Sequence, residues 1–185
     1  MKLPKRFFTI SNAFSLLRLF LAIPMYFMIV NSEQQIYVLF LAFLCYLTDL
    51  LDGYFARAFN QVTEWGKILD PIADKVLVAA ICIALLFTNK LPIWYIGIVL
   101  GRDILILIAG LLLSTKISFV LPSTYIGKAT VVTIGLSLVI SYIHPDQKII
   151  DGSYVIAIIM IAGSLLHYAQ RMIISLRNSR QNGTI

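Results

Sequence analysis

Charge is what this sequence has least of. Of its 185 residues only 13% are Asp, Glu, Lys or Arg, while 59% are hydrophobic and the mean hydropathy is +0.88. A soluble domain of this length carries about 25% charged residues, so the deficit argues against a water-soluble fold. Cysteine is scarce as well. Cys45 and Cys82 each lie inside an apolar run, which argues against a disulfide or a thiolate metal site and reads as small buried hydrophobes. Histidine is limited to His144 and His167, and topology keeps both away from the acidic residues. No long linker, low-complexity tract or internal repeat is present, so residues 1–185 read as one membrane-embedded domain.

What is present instead is a series of apolar runs near the ~20 residues that a bilayer-spanning helix needs. Six spans are predicted, at about 14–31, 34–58, 67–88, 92–114, 123–143 and 151–176, giving an all-α integral membrane fold. The basic N-terminus (Lys2, Lys5, Arg6) precedes an apolar stretch with no small-residue cleavage site, so the first run reads as a retained span rather than a signal peptide. Lys and Arg concentrate at both termini and at the second and fourth connections, marked by Arg57, Lys67 and Lys116, whereas the opposite connections hold only Lys90 and Lys148. By the positive-inside rule both termini face the cytosol. The net charge of +6 sits at the ends of apolar segments, where it suits topology and anionic lipid headgroups rather than nucleic acid.

Four of the nine acidic residues crowd into one stretch: Asp49, Asp52, Asp70 and Asp74. Asp49 and Asp52 are spaced i,i+3 near the end of the second span, and Asp70 and Asp74 are spaced i,i+4 near the start of the third. On helices each pair shares a face. A carboxylate within a membrane helix costs about 2.5–3.5 kcal/mol even on the lenient insertion scale, and four of one sign repel, so cations must balance them. An all-oxygen ligand set selects hard cations, Mg²⁺ or Mn²⁺, and two such ions balance four aspartates. Gly53 and Ala56 leave a groove beside the first pair in which a phosphate-bearing ligand has room, with Arg57 placed to fork onto phosphate oxygens. Gly66 repeats a small residue ahead of the second pair.

Written out, Asp49-x2-Asp52-Gly53-x2-Ala56-Arg57-x8-Gly66-x3-Asp70-x3-Asp74 resembles the signature of the CDP-alcohol phosphatidyltransferase family, with every fixed position filled. The resemblance implies a six-helix membrane enzyme with two divalent ions. In it Asp49, Asp52, Asp70 and Asp74 look like metal ligands, and Asp74 doubles as the catalytic base. Gly53, Ala56, Arg57 and Gly66 look like contacts to CDP-diacylglycerol. The implied reaction is attack of an acceptor hydroxyl on the β-phosphorus of CDP-diacylglycerol, with release of CMP. It also implies a homodimer in contact with membrane lipids, its active site open to the cytosol, in a bacterial inner membrane.

The segment from Ile10 to Arg18, with Gly101-Arg102-Asp103 and Tyr125 to Thr130, resembles bacterial phosphatidylglycerophosphate synthases and their relatives. This implies glycerol 3-phosphate as acceptor, with Arg102 and Lys128 supplying positive charge for its phosphate. The alternative for these two residues is an Arg102 paired with Asp103 or with a site carboxylate, and a Lys128 that anchors at the interface. That group's pattern carries a second lysine two residues after the first and then a Gln; here Ala129-Thr130-Val131-Val132 follows Lys128, which leaves phosphatidylglycerol or inositol phosphate open as acceptors. A transporter is the alternative from another class, but a transport pathway spreads polar groups through the bilayer depth, and here they cluster toward one face.

Overall fold

The computed structural model describes the backbone of residues 10–31, 34–58, 66–117, 124–144 and 146–181. Side chains are described in these ranges except at 10–11, 49–50, 52–58, 66–68, 70–71, 110–117 and 175–181. Six helices follow in chain order: α1 (Ile10–Asn31), α2 (Gln35–Ala58), α3 (Gly66–Phe87), α4 (Ile93–Ile117), α5 (Tyr125–Ile143) and α6 (Gln147–Gln181). Each expected span falls on one helix, and no strand occurs among the described residues. By length and composition Asn12–Asn31, Tyr125–Ile143 and Gln147–Ile174 suffice to cross a bilayer. In α2 the apolar part, Gln35–Thr48, stops where the acidic stretch begins.

Helices α1, α4 and α6 overrun their expected spans, α1 starting at Ile10, α4 continuing to Ile117 and α6 to Gln181. Hydropathy marks only the lipid-soluble part of a helix. Its hydrogen-bonded backbone runs on through polar residues such as Arg177 and Arg180.

The chain forms two compact units, Met1–Lys90 and Leu91–Ile185. In the first, α1 packs on both α2 and α3. Its buried side chains are Asn12, Ser15, Arg18, Ala22, Met25 and Ile29, spaced three or four residues apart along one face. That stripe is polar in its first half and apolar in its second. Phe20, Ile23 and Phe27 lie exposed on the other side, as a lipid-facing surface requires. Cys45 and Val38 from α2, and Ala73, Cys82, Ala84 and Leu85 from α3, complete the core of this unit, with both thiols free and buried as the apolar runs predict.

Helix α3 ends in a Schellman motif. The Lys90 amide donates to the Leu85 carbonyl at 2.8 Å and the Asn89 amide to Leu86 at 3.0 Å, with Asn89 in the left-handed region at φ 55°. Asparagine tolerates this conformation better than any residue with a branched β-carbon.

In the second unit α6 packs on α4 and α5. Lipid offers no hydrophobic drive for helices to associate, so close packing and polar stitches carry the association. The rings of Tyr95 (α4) and Tyr154 (α6) stack at 4.3 Å between centroids. Their hydroxyls bond to Ser137 at 2.5 Å and to Ser141 at 2.8 Å, both on α5. The Thr130 hydroxyl reaches across from α5 to the Met160 carbonyl of α6 at 3.1 Å.

Replacing Asn89 by valine forces a β-branched residue into the left-handed region and is expected to cost about 1–2 kcal/mol. Asn89→Gly is expected to be neutral or slightly stabilising. Apparent melting temperatures of the two variants in detergent check this ordering.

Candidate active site

The backbone is helical at each fixed position of the acidic motif. Asp49, Asp52, Gly53, Ala56 and Arg57 lie on α2, and Gly66, Asp70 and Asp74 on α3. The i,i+3 and i,i+4 pairs therefore share helix faces, as their spacing requires. The side chains of Asp49, Asp52, Ala56, Arg57 and Asp70 lie outside the described residues, as does the space around Gly53 and Gly66. Among the described residues no three His, Cys, Asp or Glu side chains gather as a metal-binding group.

Asp74 is the aspartate of the four whose side chain is described, and it is held from another helix. Its Oδ1 accepts a hydrogen bond from Nη1 of Arg18 on α1, fifty-six residues away in sequence. The pair is asymmetric: the Arg18 side chain is 1% exposed and that of Asp74 49%. The guanidinium thus meets the carboxylate from inside the helix packing, and the carboxylate is half exposed. Helix α1, which carries this cation, packs on both helices that bear the acidic motif.

Reading the sequence by motif spacing passes over Arg18, apart from its place in the Ile10–Arg18 segment. A signal was available. Arg18 is the one charged residue in all of α1, and an arginine inside an apolar helix has to find an anion.

In the second unit Arg102 is 7% exposed. Its Nη1 donates to Asp103 at 2.7 Å and its Nη2 to Ser164 on α6 at 3.3 Å, while its buried Nε finds no acceptor among the described residues. Ser164 is a partner that no spacing argument identified. Lys128 is exposed in the first turn of α5. That turn is capped by Thr124, whose hydroxyl accepts from the Gly127 amide at 3.1 Å. His144 serves the turn before α6, its Nδ1 accepting from the Asp146 amide at 3.1 Å. A shallow apolar depression along α1, lined by Ile23, Pro24, Phe27, Met28 and Asn31, holds no charged group and no chemistry.

Comparison with known proteins bears on the same stretch. The sequence model described as CDP-alcohol phosphatidyltransferase matches residues 8–169. A CDP-diacylglycerol–glycerol-3-phosphate 3-phosphatidyltransferase from Aquifex aeolicus is 40% identical over 131 residues, covering 70% of this chain and 72% of that protein. Its namesake from Bacillus subtilis is 46% identical over 56 residues, 30% of this chain and 29% of that one. A probable cardiolipin synthase (CMP-forming) from Drosophila melanogaster is 38% identical over 118 residues, 63% of this chain. The matched region spans only 36% of the fly protein's length.

The long Arg102–Ser164 bond and the short Arg102–Asp103 pair differ in weight. Ser164→Ala is expected to cost under about 1 kcal/mol, in line with interhelical hydrogen bonds in membranes. Asp103→Ala strands a buried guanidinium and is expected to cost on the order of 2–3 kcal/mol. Thermal unfolding in one detergent compares them.

Proposed function

The chain belongs to the CDP-alcohol phosphatidyltransferase family, and from that premise we propose that it transfers a phosphatidyl group from CDP-diacylglycerol to glycerol 3-phosphate, giving phosphatidylglycerophosphate and CMP. The observation that carries the reading is the complete acidic stretch on α2 and α3, with the Asp74 carboxylate presented outward by a buried arginine. The names of the Aquifex and Bacillus relatives support the choice of acceptor.

In this reading Asp49, Asp52, Asp70 and Asp74 hold two divalent ions, Mg²⁺ or Mn²⁺. The donor set fits: it is all carboxylate oxygen, it lies on shared helix faces, and the one described side chain among the four is accessible. Bound ions would supply charge stabilisation for the diphosphate. Gly53, Ala56 and Gly66 leave room for the CDP moiety, and Arg57 binds its phosphate oxygens. Asp74 takes the proton of the acceptor hydroxyl as that oxygen bonds to the β-phosphorus. The bond from this phosphorus to the oxygen bridging it to CMP breaks, and CMP leaves with the electron pair. Arg102 and Lys128 bind the acceptor's phosphate, with Asp103 and Ser164 orienting Arg102.

The same reading makes residues 1–185 one catalytic domain, a proposal supported by a family match that runs across both compact units. Membership of the family supports a homodimer among the lipids of a bacterial inner membrane, and the Lys and Arg asymmetry supports cytosolic termini and a cytosolic active site. A second reading, transfer to phosphatidylglycerol to give cardiolipin, is favoured by the name of the fly relative and by the missing second lysine after Lys128.

The test is CMP release by the purified protein with CDP-diacylglycerol, Mg²⁺ or Mn²⁺, and a panel of acceptors. Release is expected with glycerol 3-phosphate, and Asp74→Asn is expected to lower kcat by about 10²–10⁴-fold, the usual worth of a general base. Release with phosphatidylglycerol alone would move the assignment to the second reading. Failure with every acceptor, in protein that also fails to bind CDP-diacylglycerol, would overturn both.

A further inference from the structure

Arg18 and Asp74 meet in unequal surroundings. The arginine is almost wholly buried, on a helix with no other charge, and the aspartate is half exposed. Helix α1 packs on α3. Ser15 and Ala22, one turn to either side of Arg18, are buried, and so is Ala73, the residue before Asp74 on α3. A side chain enclosed in this way keeps one rotamer, because close packing leaves it no room to turn. A half-exposed aspartate has no such enclosure and turns about both of its side-chain torsions unless something holds it. Bonded through Oδ1 to Nη1 of Arg18, the Asp74 carboxylate takes its direction from α1. An ion pair made for stability alone does not call for this arrangement, since a guanidinium inside an apolar helix is expensive. What sets it apart from a surface pair is a partly accessible carboxylate whose partner cannot move.

We propose that Arg18 is a positioning residue of the active site: through its bond to Oδ1 it holds the Asp74 carboxylate in the orientation that ion binding and proton transfer require. This makes α1 part of a site whose motif lies wholly on α2 and α3. The inference rests on the reading of Asp74 as metal ligand and base. Arg18 acts through Asp74 and touches no substrate. Groups that hydrogen-bond to a metal-binding side chain fix its direction, and their loss costs about 10–100-fold in metal affinity or activity. Lysine does not replace arginine here, because its ammonium is a point charge on a flexible stem, whereas the guanidinium is a rigid plane of donors. A lysine variant therefore keeps the charge and loosens the orientation, which separates the two contributions.

The experiment uses the full chain in lipid nanodiscs. CMP release gives kcat and the KM for CDP-diacylglycerol, and electron paramagnetic resonance measures Mn²⁺ binding without substrate. Arg18→Lys is expected to lower kcat by about 10–100-fold with KM within twofold of wild type, and to weaken Mn²⁺ binding at least threefold. Ile29→Ala, in the apolar half of the same α1 stripe, lowers the melting temperature and is expected to leave kcat and Mn²⁺ affinity within twofold. An Arg18→Lys protein with kcat within twofold of wild type overturns the inference. So does an equal loss of kcat in Ile29→Ala, which marks a general weakening of the packing. Should Arg18→Lys fail to fold, the variant carrying both Arg18→Gln and Asp74→Asn leaves no charge of the pair unmet. Because Arg18 acts through Asp74, adding Arg18→Gln to Asp74→Asn is expected to lower the residual kcat less than fivefold, and a larger further loss overturns the inference. A wild type that releases no CMP, alongside weakened Mn²⁺ binding in Arg18→Lys, would sink the proposed reaction and leave the positioning role standing. An active wild type with an unresponsive Arg18→Lys would do the reverse.

Discussion

A charge carried into an apolar layer has to be met by another group of the protein or by a ligand, because no water is there to solvate it. Among the described residues the chain obeys this constraint at two places. In the first unit the buried Arg18 of α1 meets Asp74 of α3. In the second, the buried Arg102 of α4 meets its neighbour Asp103 and the hydroxyl of Ser164 on α6. What differs is exposure. Asp74 is half open and Asp103 is 17% exposed, so the first pair presents a carboxylate outward while the second mostly satisfies itself.

Around these pairs each unit is organised by one helix. Helix α1 does this for α2 and α3 with a single buried stripe that changes from polar to apolar along its length. The polar half lies at the level of the acidic motif on α3 and the apolar half packs as ordinary core. Helix α6 does it for α4 and α5 through the bonds of Tyr154 to Ser141 and of Thr130 to the Met160 carbonyl and through one stacked tyrosine pair. Such contacts matter more in lipid than in water, where apolar burial alone would draw helices together.

The number and order of helices were legible in advance because apolar length is a direct physical requirement for crossing a bilayer. Their ends were less so, since a helix continues past the point where its side chains cease to favour lipid. Asn89 shows a boundary that local chemistry does announce: asparagine and the polar residues beside it suit the left-handed cap on which α3 ends. The acidic stretch was legible for a similar reason. Its spacing of three and four residues has meaning on a helix without reference to the rest of the chain.

The pairing of Arg18 with Asp74 was not legible in that way, because it joins residues far apart in sequence and depends on which face α1 turns inward. The same holds for Ser164 beneath Arg102. The sequence by itself determined the six apolar helices, the family and the carboxylate-rich stretch, all of which follow from local composition and short-range spacing. Only the tertiary structure decided which cation backs which carboxylate. Helix packing brings distant side chains together, and the burial that results turns an isolated arginine into a partner of the site.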